Sequence, residues 1–284
     1  MTPADPFANP ERSMAPKLAI VAGGGDLPWL LRETCYAGGR ECLLLALDGH
    51  ANVNRKPAPD ACIRIGDWGQ TLDFLHEQEI EELVFAGTVR RPSLKEIRPD
   101  PRGAVFLAQL ARSWFGDDSI LSAVMKELEK DGFRVVSPES LLVGFVARDG
   151  TYGSMQPDEA ALADIQRGKE VVAAIGSQDI GQAVVIQQGI VVAVEAAEGT
   201  DAMIQRCGSL LREDAGGVLV KFPKPGQDRR VDLPTIGTRT VQVAKEVGLI
   251  GIAVEAGGAL VIDVEEIVKI ADNAGIFVVG VHRD

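Results

Sequence analysis

The chain has 284 residues, a length typical of one large or two medium domains. Its formal net charge of −12 argues against binding of bulk nucleic acid, because polyanion binders usually carry a basic excess. Hydrophobic residues make up 46% and charged residues 25% of the chain, a globular balance that excludes a disordered or fibrous protein. Four widely spaced cysteines without a CxxC motif fit neither a zinc site nor a disulfide framework, and they indicate a reducing cytoplasm.

The first residues, 1–16, contain four prolines and no apolar run, so we expect a flexible tail and no signal peptide. No uncharged apolar stretch reaches the roughly 18 residues that a membrane span needs. Beyond the tail, apolar runs alternate with amphipathic segments. We predict strands over 17–22, 41–47, 62–65, 82–86 and 134–137, and helices over 26–37, 70–78 and 119–130. This alternation indicates a Rossmann-like α/β domain over residues 17–149 with a mostly parallel sheet.

The pattern changes after the polar, glycine-rich stretch at 149–153. We predict helices over 158–175, 201–212, 236–247 and 265–274, and strands over 182–187, 190–195, 218–222, 249–255, 259–263 and 276–281. Short turns at 188–189 and 256–258 predict two antiparallel hairpins. The second half is therefore expected to be a mixed α+β domain, residues 150–284, and to carry the catalytic groups.

Three glycines follow the first predicted strand, in the stretch GGGDLP. Glycines allow backbone N–H groups to approach a phosphate at a helix N-terminus, so Gly24, Gly25 and Asp26 are candidate nucleotide-binding residues. Asp26 would repel a pyrophosphate, although it could cap the helix. Pro28 stands where the dinucleotide motif G-x-G-x-x-G needs glycine, which disfavours a standard NAD site. The alternative is a tight strand-to-helix turn.

A cationic loop follows the predicted strand at 82–86. Residues 88–102 contain five basic and two acidic residues, a local charge of +3. Ligands of open α/β sheets bind outside the carboxyl ends of strands, and arginine can hold phosphate in a bidentate manner. Arg90 and Arg91 are therefore candidate phosphate-binding residues, and the alternative is a solvated loop.

The densest polar segment is KFPKPGQDRRVDLP, which begins at Lys221 directly after a strand. Asp228 and Asp232 are oxygen ligands suited to Mg²⁺. Lys221, Lys224 and either Arg229 or Arg230 can neutralise charge on phosphoryl oxygens. The alternative is a charged surface loop whose residues pair with one another.

Two further residues follow the predicted hairpin at 182–195. Thr200 and Asp201 could cap the next helix or complete a metal or phosphate site. Glu255 more simply belongs to a turn. No P-loop and no G-x-S-x-G motif is present, and no histidine lies near these segments. Metal-assisted phosphoryl transfer to water remains the best fit to Asp, Lys and Arg.

The stretches GGGDLP, AGTVRRP, EGTDAMI and GVLVKFPKPGQDRRVDLPTIGTRT together resemble the LpxI-type UDP-2,3-diacylglucosamine pyrophosphatases of lipid A biosynthesis. The resemblance extends from about Lys17 onward. It implies Mg²⁺-dependent hydrolysis to UMP and 2,3-diacylglucosamine 1-phosphate (lipid X), with water directed to the phosphorus on the sugar side. It also implies dimers, two domains with the lipid between them, and an essential aspartate, here Asp228 or Asp232.

The resemblance and the residue types together assign the expected roles. Asp228 and Asp232 would be metal ligands or water-orienting bases, and Lys221 would assist catalysis. The expected substrate-binding residues are Gly24, Gly25, Asp26, Arg90, Arg91, Thr200, Asp201, Lys224, Gln227 and Arg229. We expect a cytoplasmic homodimer, with peripheral contact to the inner face of the inner membrane left open. The alternatives are a nucleotide-dependent oxidoreductase, prompted by the glycine turn and Asp48, and a non-catalytic lipid or nucleotide carrier.

Overall fold

The computed structural model describes residues 15–90, 97–113, 120–212, 216–226, 230 and 233–283. The chain divides into two compact units. The first unit comprises Met1–Leu142 and Asp228–Asp232, and the second comprises Val143–Gln227 and Leu233–Asp284. The domain boundary between residues 149 and 150 stays a prediction, and the predicted tail lies almost wholly outside the described residues. None of the helices in the described ranges has the length and hydrophobicity to span a bilayer.

The first unit is built around an all-parallel sheet. Its elements are β1 (Leu18–Ala22), α1 (Leu27–Ala37), β2 (Cys42–Leu47), β3 (Ala61–Ile63), α2 (Trp68–Glu77), β4 (Glu82–Ala86), α3 (Pro101–Ser113), α4 (Ile120–Lys130), β5 (Arg134–Val135) and α5 (Pro138–Leu141). The strand order is β3-β2-β1-β4-β5, and every described pairing is parallel. β1 is central and fully buried, as its uninterrupted apolar run requires.

Helices cover both faces of this sheet. Trp29 of α1 packs with Ala22 and Leu44 on one face. On the other face, Leu75 of α2 and Met125 of α4 belong to a cluster that includes side chains of β1, β2 and β4. The predicted Rossmann-like fold class is therefore confirmed. The segment 101–113 was not predicted as a helix.

The second unit is built around a mixed sheet. Its elements are β6 (Gly150–Tyr152), α6 (Glu159–Ser177), β7 (Ala183–Gln187), β8 (Ile190–Val194), α7 (Thr200–Cys207), β9 (Val218–Lys221), β10 (Thr235–Ile236), α8 (Thr238–Val247), β11 (Gly251–Glu255), β12 (Leu260–Val261), α9 (Val264–Ala274) and β13 (Phe277–Val281). The main sheet has the order β6-β13-β11-β9-β7-β8. β9, β11 and β13 are parallel, whereas β6 and β7 run against their neighbours.

Two apolar layers enclose the main sheet. α6 packs on one face through residues such as Ile165 and Val172. α7, α8 and α9 pack on the other, where Met203, Val241 and Ile267 belong to one buried cluster. The predicted mixed α+β class of this half is confirmed.

Of the two predicted hairpins, the first is confirmed and the second is wrong. β7 and β8 pair in antiparallel fashion around Gln188 and Gly189, which both have positive φ. In contrast, β11 and β12 do not pair with each other. β12 pairs in parallel with β10, because the turn after β11 is held by other segments: the Ala256 N–H donates to the carbonyl of Val281 at 2.9 Å.

Candidate active site

Lys221 is the last residue of β9, at the edge where the parallel strands of the second sheet end. The residue is 6% exposed, and its ammonium donates to the backbone carbonyl of Thr235 at 2.9 Å. A buried charge is costly unless polar partners surround it. Ligands of open α/β sheets bind outside the carboxyl ends of strands. The position therefore suits a fixed positive charge beside an anionic ligand.

Lys221 and the buried carboxylate of Glu195 lie at equivalent positions on two strands, with one strand between them. Ala183 is in register with Lys221, and the Glu195 N–H donates to the Ala183 carbonyl at 2.9 Å. Strands lie about 4.8 Å apart, so roughly 10 Å separates the backbones of Glu195 and Lys221. Both side chains project to the face that α7 and α8 cover, because each lies two residues beyond a member of that apolar cluster. Only the methyl group of Ala183 projects from the strand between them.

Glu195 is 7% exposed and follows β8 directly. Its carboxylate accepts a hydrogen bond from the Thr200 hydroxyl at 2.6 Å and another from the Gln182 backbone N–H at 3.0 Å. Hydrogen bonds of this kind offset the loss of hydration of a buried carboxylate. Glu195 therefore joins the end of β8 to the first residue of α7.

Thr200 and Asp201 lie in the first turn of α7 and neither caps it. The cap position is Gly199, with φ +83, and no side chain closes the helix end there. Thr200 is instead bonded to Glu195, and Asp201 accepts from the Thr240 hydroxyl of α8 at 3.2 Å. The capping alternative is wrong, and both residues belong to a polar network at the sheet edge.

The chain beyond Lys221 is fixed by residues from other strands. The Phe222 N–H donates to the Gln182 carbonyl at 3.0 Å, which extends the ladder between β9 and β7. Arg283, just after β13, donates to the Pro223 carbonyl and pairs with Glu255 at 3.0 Å. Its guanidinium also lies 5.7 Å from the centre of the Phe222 ring. The entrance to the polar segment is thereby tied to three strands.

Lys224 lies further along this segment and is less buried than Lys221. Its ammonium pairs with Asp179 at 2.6 Å. Arg230, which groups with the first unit, pairs with Glu129 of α4 at 2.7 Å.

Several predicted residues lie outside the described part of the chain, and their roles stay predictions. They are Arg91, Gln227, Asp228, Arg229 and Asp232. Among the residues that the structure describes, no group of three or more His, Cys, Asp or Glu side chains is placed to hold a metal ion.

The glycine turn of the first unit, residues 23–25, has a structural role in addition to any role in ligand binding. Gly24 exchanges two backbone hydrogen bonds with Thr88, at 2.8 and 2.9 Å. A Cβ at Gly23 would lie 2.6 Å from the Thr88 carbonyl oxygen, and one at Gly87 would lie 2.3 Å from that of Gly24. Only glycine allows this approach. Gly25, by contrast, has φ +89 and open space around its Cα. Of these glycines, Gly25 has the backbone that a ligand can approach.

Polar side chains gather at the carboxyl ends of β1, β2 and β4. His50 follows β2, and its ring bonds the Arg90 carbonyl at 3.1 Å. Asp26 does not cap α1 through its side chain and instead forms an ion pair with Arg55. The Arg55 guanidinium lies 5.0 Å from the centre of the Trp29 ring. The pair with Arg55 lowers the negative charge that Asp26 would present to a phosphate.

Two surface cavities in the first unit lie elsewhere. One is lined by Glu41 and His76 among others, and one by Trp68 and Phe106. Neither contains a predicted site residue, so the polar edges of the two sheets remain the candidate sites.

Comparison with known proteins places this arrangement in a family. The family model described as the LpxI N-terminal domain matches residues 17–145, and the one described as the LpxI C-terminal domain matches residues 148–279. The chain belongs to the LpxI family. The family resemblance predicted from GGGDLP, AGTVRRP and the segment after Lys221 is thus confirmed.

A curated LpxI relative matches nearly the whole chain. The UDP-2,3-diacylglucosamine pyrophosphatase LpxI of Caulobacter vibrioides is 40% identical over 274 residues, which cover 93% of this chain and 97% of the relative.

Two charged residues of this LpxI-family chain were not found from its sequence. Glu195 follows an apolar strand, and Arg55 lies in a loop between β2 and β3. The one available signal was position, since both follow strands whose carboxyl ends form the polar edges.

Proposed function

We propose that this chain hydrolyses the diphosphate of UDP-2,3-diacylglucosamine to UMP and 2,3-diacylglucosamine 1-phosphate, with Mg²⁺ as cofactor. The observation that carries the proposal is the 40% identity, along 93% of the chain, to a pyrophosphatase named for this substrate. The buried ammonium of Lys221 at the sheet edge supports it, because an anionic phosphoryl group needs a fixed cation.

Each unit has a role in the proposal. At the second unit's sheet edge, Lys221 stabilises charge on phosphoryl oxygens, and Lys224 and Arg229 with Gln227 bind the diphosphate. Thr200 and Asp201 border the same edge. At the first unit's sheet edge, Gly24, Gly25 and Asp26 contact the nucleotide, and Arg90 and Arg91 contact phosphate.

Asp228 and Asp232 would hold the Mg²⁺. Two carboxylates are hard oxygen donors, the kind of ligand that Mg²⁺ takes together with substrate phosphate oxygens. Bound Mg²⁺ polarises phosphoryl oxygens and neutralises their developing charge. One of the two aspartates would alternatively orient the attacking water. In the proposed reaction, the water oxygen bonds to the phosphorus on the sugar side, and the bond from that phosphorus to the bridging oxygen breaks.

The test is turnover of UDP-2,3-diacylglucosamine by the purified full chain. We expect UMP release with Mg²⁺, loss of release with EDTA, and recovery when Mg²⁺ is restored. In ¹⁸O-water the label should enter lipid X and not UMP. Binding without turnover would refute the proposal and favour a carrier.

Variants Asp228→Ala and Asp232→Ala test the site. We expect at least one of them to lose activity by about a hundredfold or more, the effect of removing a group that stabilises transition-state charge. Glu266→Gln is the control, because this exposed carboxylate of α9 pairs with Lys269 at 3.2 Å, within its own helix. Full activity in both aspartate variants would refute the site assignment.

We also propose a homodimer and peripheral contact with the membrane that contains the lipid substrate. Sedimentation velocity tests the first, and co-sedimentation with anionic phospholipid vesicles tests the second. A monomer at micromolar concentration, or no vesicle binding at low salt, would refute the respective proposal.

A further inference from the structure

Glu195 is a buried carboxylate at the candidate site, and the proposed function so far gives it no role. Removing a carboxylate from water is costly unless hydrogen bonds compensate for the lost hydration. This acidic group lies two strands away from the buried ammonium of Lys221. If the role of Glu195 is only structural, its two hydrogen bonds alone must compensate for the burial of its charge.

Those two bonds fix the direction in which the Thr200 hydroxyl donates. An ionised carboxylate has no proton, so it can only accept. One oxygen of Glu195 accepts from the Gln182 N–H and the other from the Thr200 hydroxyl, at 2.6 Å. The single proton of Thr200 is therefore used, and its oxygen retains only lone pairs for any other partner.

We infer that Glu195 is a positioning residue that acts through Thr200. By accepting the one hydrogen bond that the hydroxyl can donate, it makes Thr200 an obligate acceptor for any other partner, which recognises a hydroxyl or amide N–H of the sugar and not a phosphate oxygen. The inference rests on the proposed function, since it assigns the partner of Thr200 within that site. A diacylated glucosamine carries both kinds of donor, whereas its phosphates at neutral pH are acceptors.

A double-mutant cycle on hydrolysis of UDP-2,3-diacylglucosamine tests this. Thr200→Val removes the hydroxyl and Glu195→Gln replaces its acceptor with an amide. The amide NH₂ must face either Thr200, which reverses the bond, or the Gln182 N–H, which breaks it. We expect each single variant to lower kcat/KM about threefold to tenfold, the effect of one hydrogen bond between neutral groups. The double variant should be no worse than the more damaged single variant, because both act on one interaction.

Asp164→Asn is the matched control. Asp164 is a second buried carboxylate of the same unit, and it accepts from the backbone N–H groups of Gln188 and Gly189 at the opposite end of the sheet. We expect it to lower the melting temperature as Glu195→Gln does, with kcat/KM unchanged. Thr200→Ser keeps the hydroxyl and should retain most activity.

The outcomes separate this inference from the proposed function. A wild-type chain without UMP release overturns both. An active wild type with additive variant effects, or with undiminished kcat/KM in Thr200→Val, overturns the inference alone. Equal loss of kcat/KM in Asp164→Asn would assign the effect of Glu195 to stability and also overturn it. If Glu195→Gln does not fold, undiminished kcat/KM in Thr200→Val, or equal losses in Thr200→Val and Thr200→Ser, still overturns the inference.

Discussion

Replacing Lys221 with methionine removes the buried ammonium while it preserves the length and most of the volume of the side chain. The hydrogen bond to the Thr235 carbonyl, 2.9 Å in the native chain, is lost. An unsatisfied buried acceptor costs about 1–3 kcal/mol, so the melting temperature should fall by several degrees. Loss of one preorganised charge at a developing oxyanion lowers kcat about a hundredfold to a thousandfold. We therefore expect a folded variant with nearly abolished UMP release.

Lys224→Met is the comparison, because Lys224 lies on the same segment but its ammonium pairs with Asp179, which is 84% exposed. We expect its effect on activity to be about tenfold or less. Steady-state UMP release and a thermal melt should be measured for both variants. Equal losses of activity in the two variants, or more than about a third of wild-type kcat/KM in Lys221→Met, would refute the reasoning from burial at the sheet edge.

Three further predictions concern the first unit. Gly87→Ala should lower the free energy of unfolding by at least about 2 kcal/mol, because φ is +88 and the new Cβ would lie 2.3 Å from the Gly24 carbonyl; an unchanged urea midpoint would contradict this. Partial burial acts to raise the pKa of Asp100, but backbone N–H bonds from Gly103 and from the start of α2 outweigh it, so the pKa lies below its usual value. The stability that Asp100 contributes is present above the unfolded pKa of about 3.9 and is lost as pH falls through the folded value, so Asp100→Asn should destabilise at pH 7 by about 1 kcal/mol and progressively less as the pH falls below about 3.9. Arg55→Ala should weaken UMP binding severalfold in calorimetry, because Asp26 without its ion pair would repel the phosphate; unchanged affinity would contradict this.

The strands of the first unit could be predicted because a central parallel strand is apolar on both faces and short, as in β1. The helix α3 could not, since Pro99, Asp100, Pro101 and Gly103 indicate a loop when only local sequence is considered. In the structure, the Asp100 carboxylate accepts from the N–H groups of Gly69 at 2.7 Å and Gly103 at 2.6 Å, so it serves the starts of two helices. Because Gly69 lies about 30 residues before Asp100, the local sequence around Asp100 does not reveal this interaction.

Pairing between strands was the weakest part of the fold prediction for the same reason. The glycine-rich turn after β11 has local features of a hairpin, yet its backbone bonds the ends of other segments, including the Ala147 carbonyl at 2.7 Å from the Gly257 nitrogen. Partner choice is set by those distant groups. The hairpin of β7 and β8 was predictable because Gln188 and Gly189 form a two-residue turn between two apolar runs, so each strand pairs with its neighbour in sequence.

For the site, residue type and position predicted Lys221 and Thr200, and the structure places Lys221 at the end of β9 and Thr200 at the start of α7. Their roles in the reaction stay predictions. The partners of these residues could not be found in that way. Glu195 follows an apolar strand and resembles an ordinary strand end, so only the register of β8, β7 and β9 reveals its place in one row with Lys221. Asp228 and Asp232 remain predictions from chemistry and resemblance.

Arg283 donates to the carbonyl of Pro223, 60 residues earlier in the sequence, and also pairs with Glu255. β13 has to pair beside β11 before this side chain can reach them. Contacts between distant parts of a chain form late in folding, because loop closure precedes their gain. Fixing of Phe222 and Pro223 and completion of the sheet should therefore be a single kinetic event. A partly folded second unit would then leave Phe222 and Pro223 unfixed, even where most of its core had already formed.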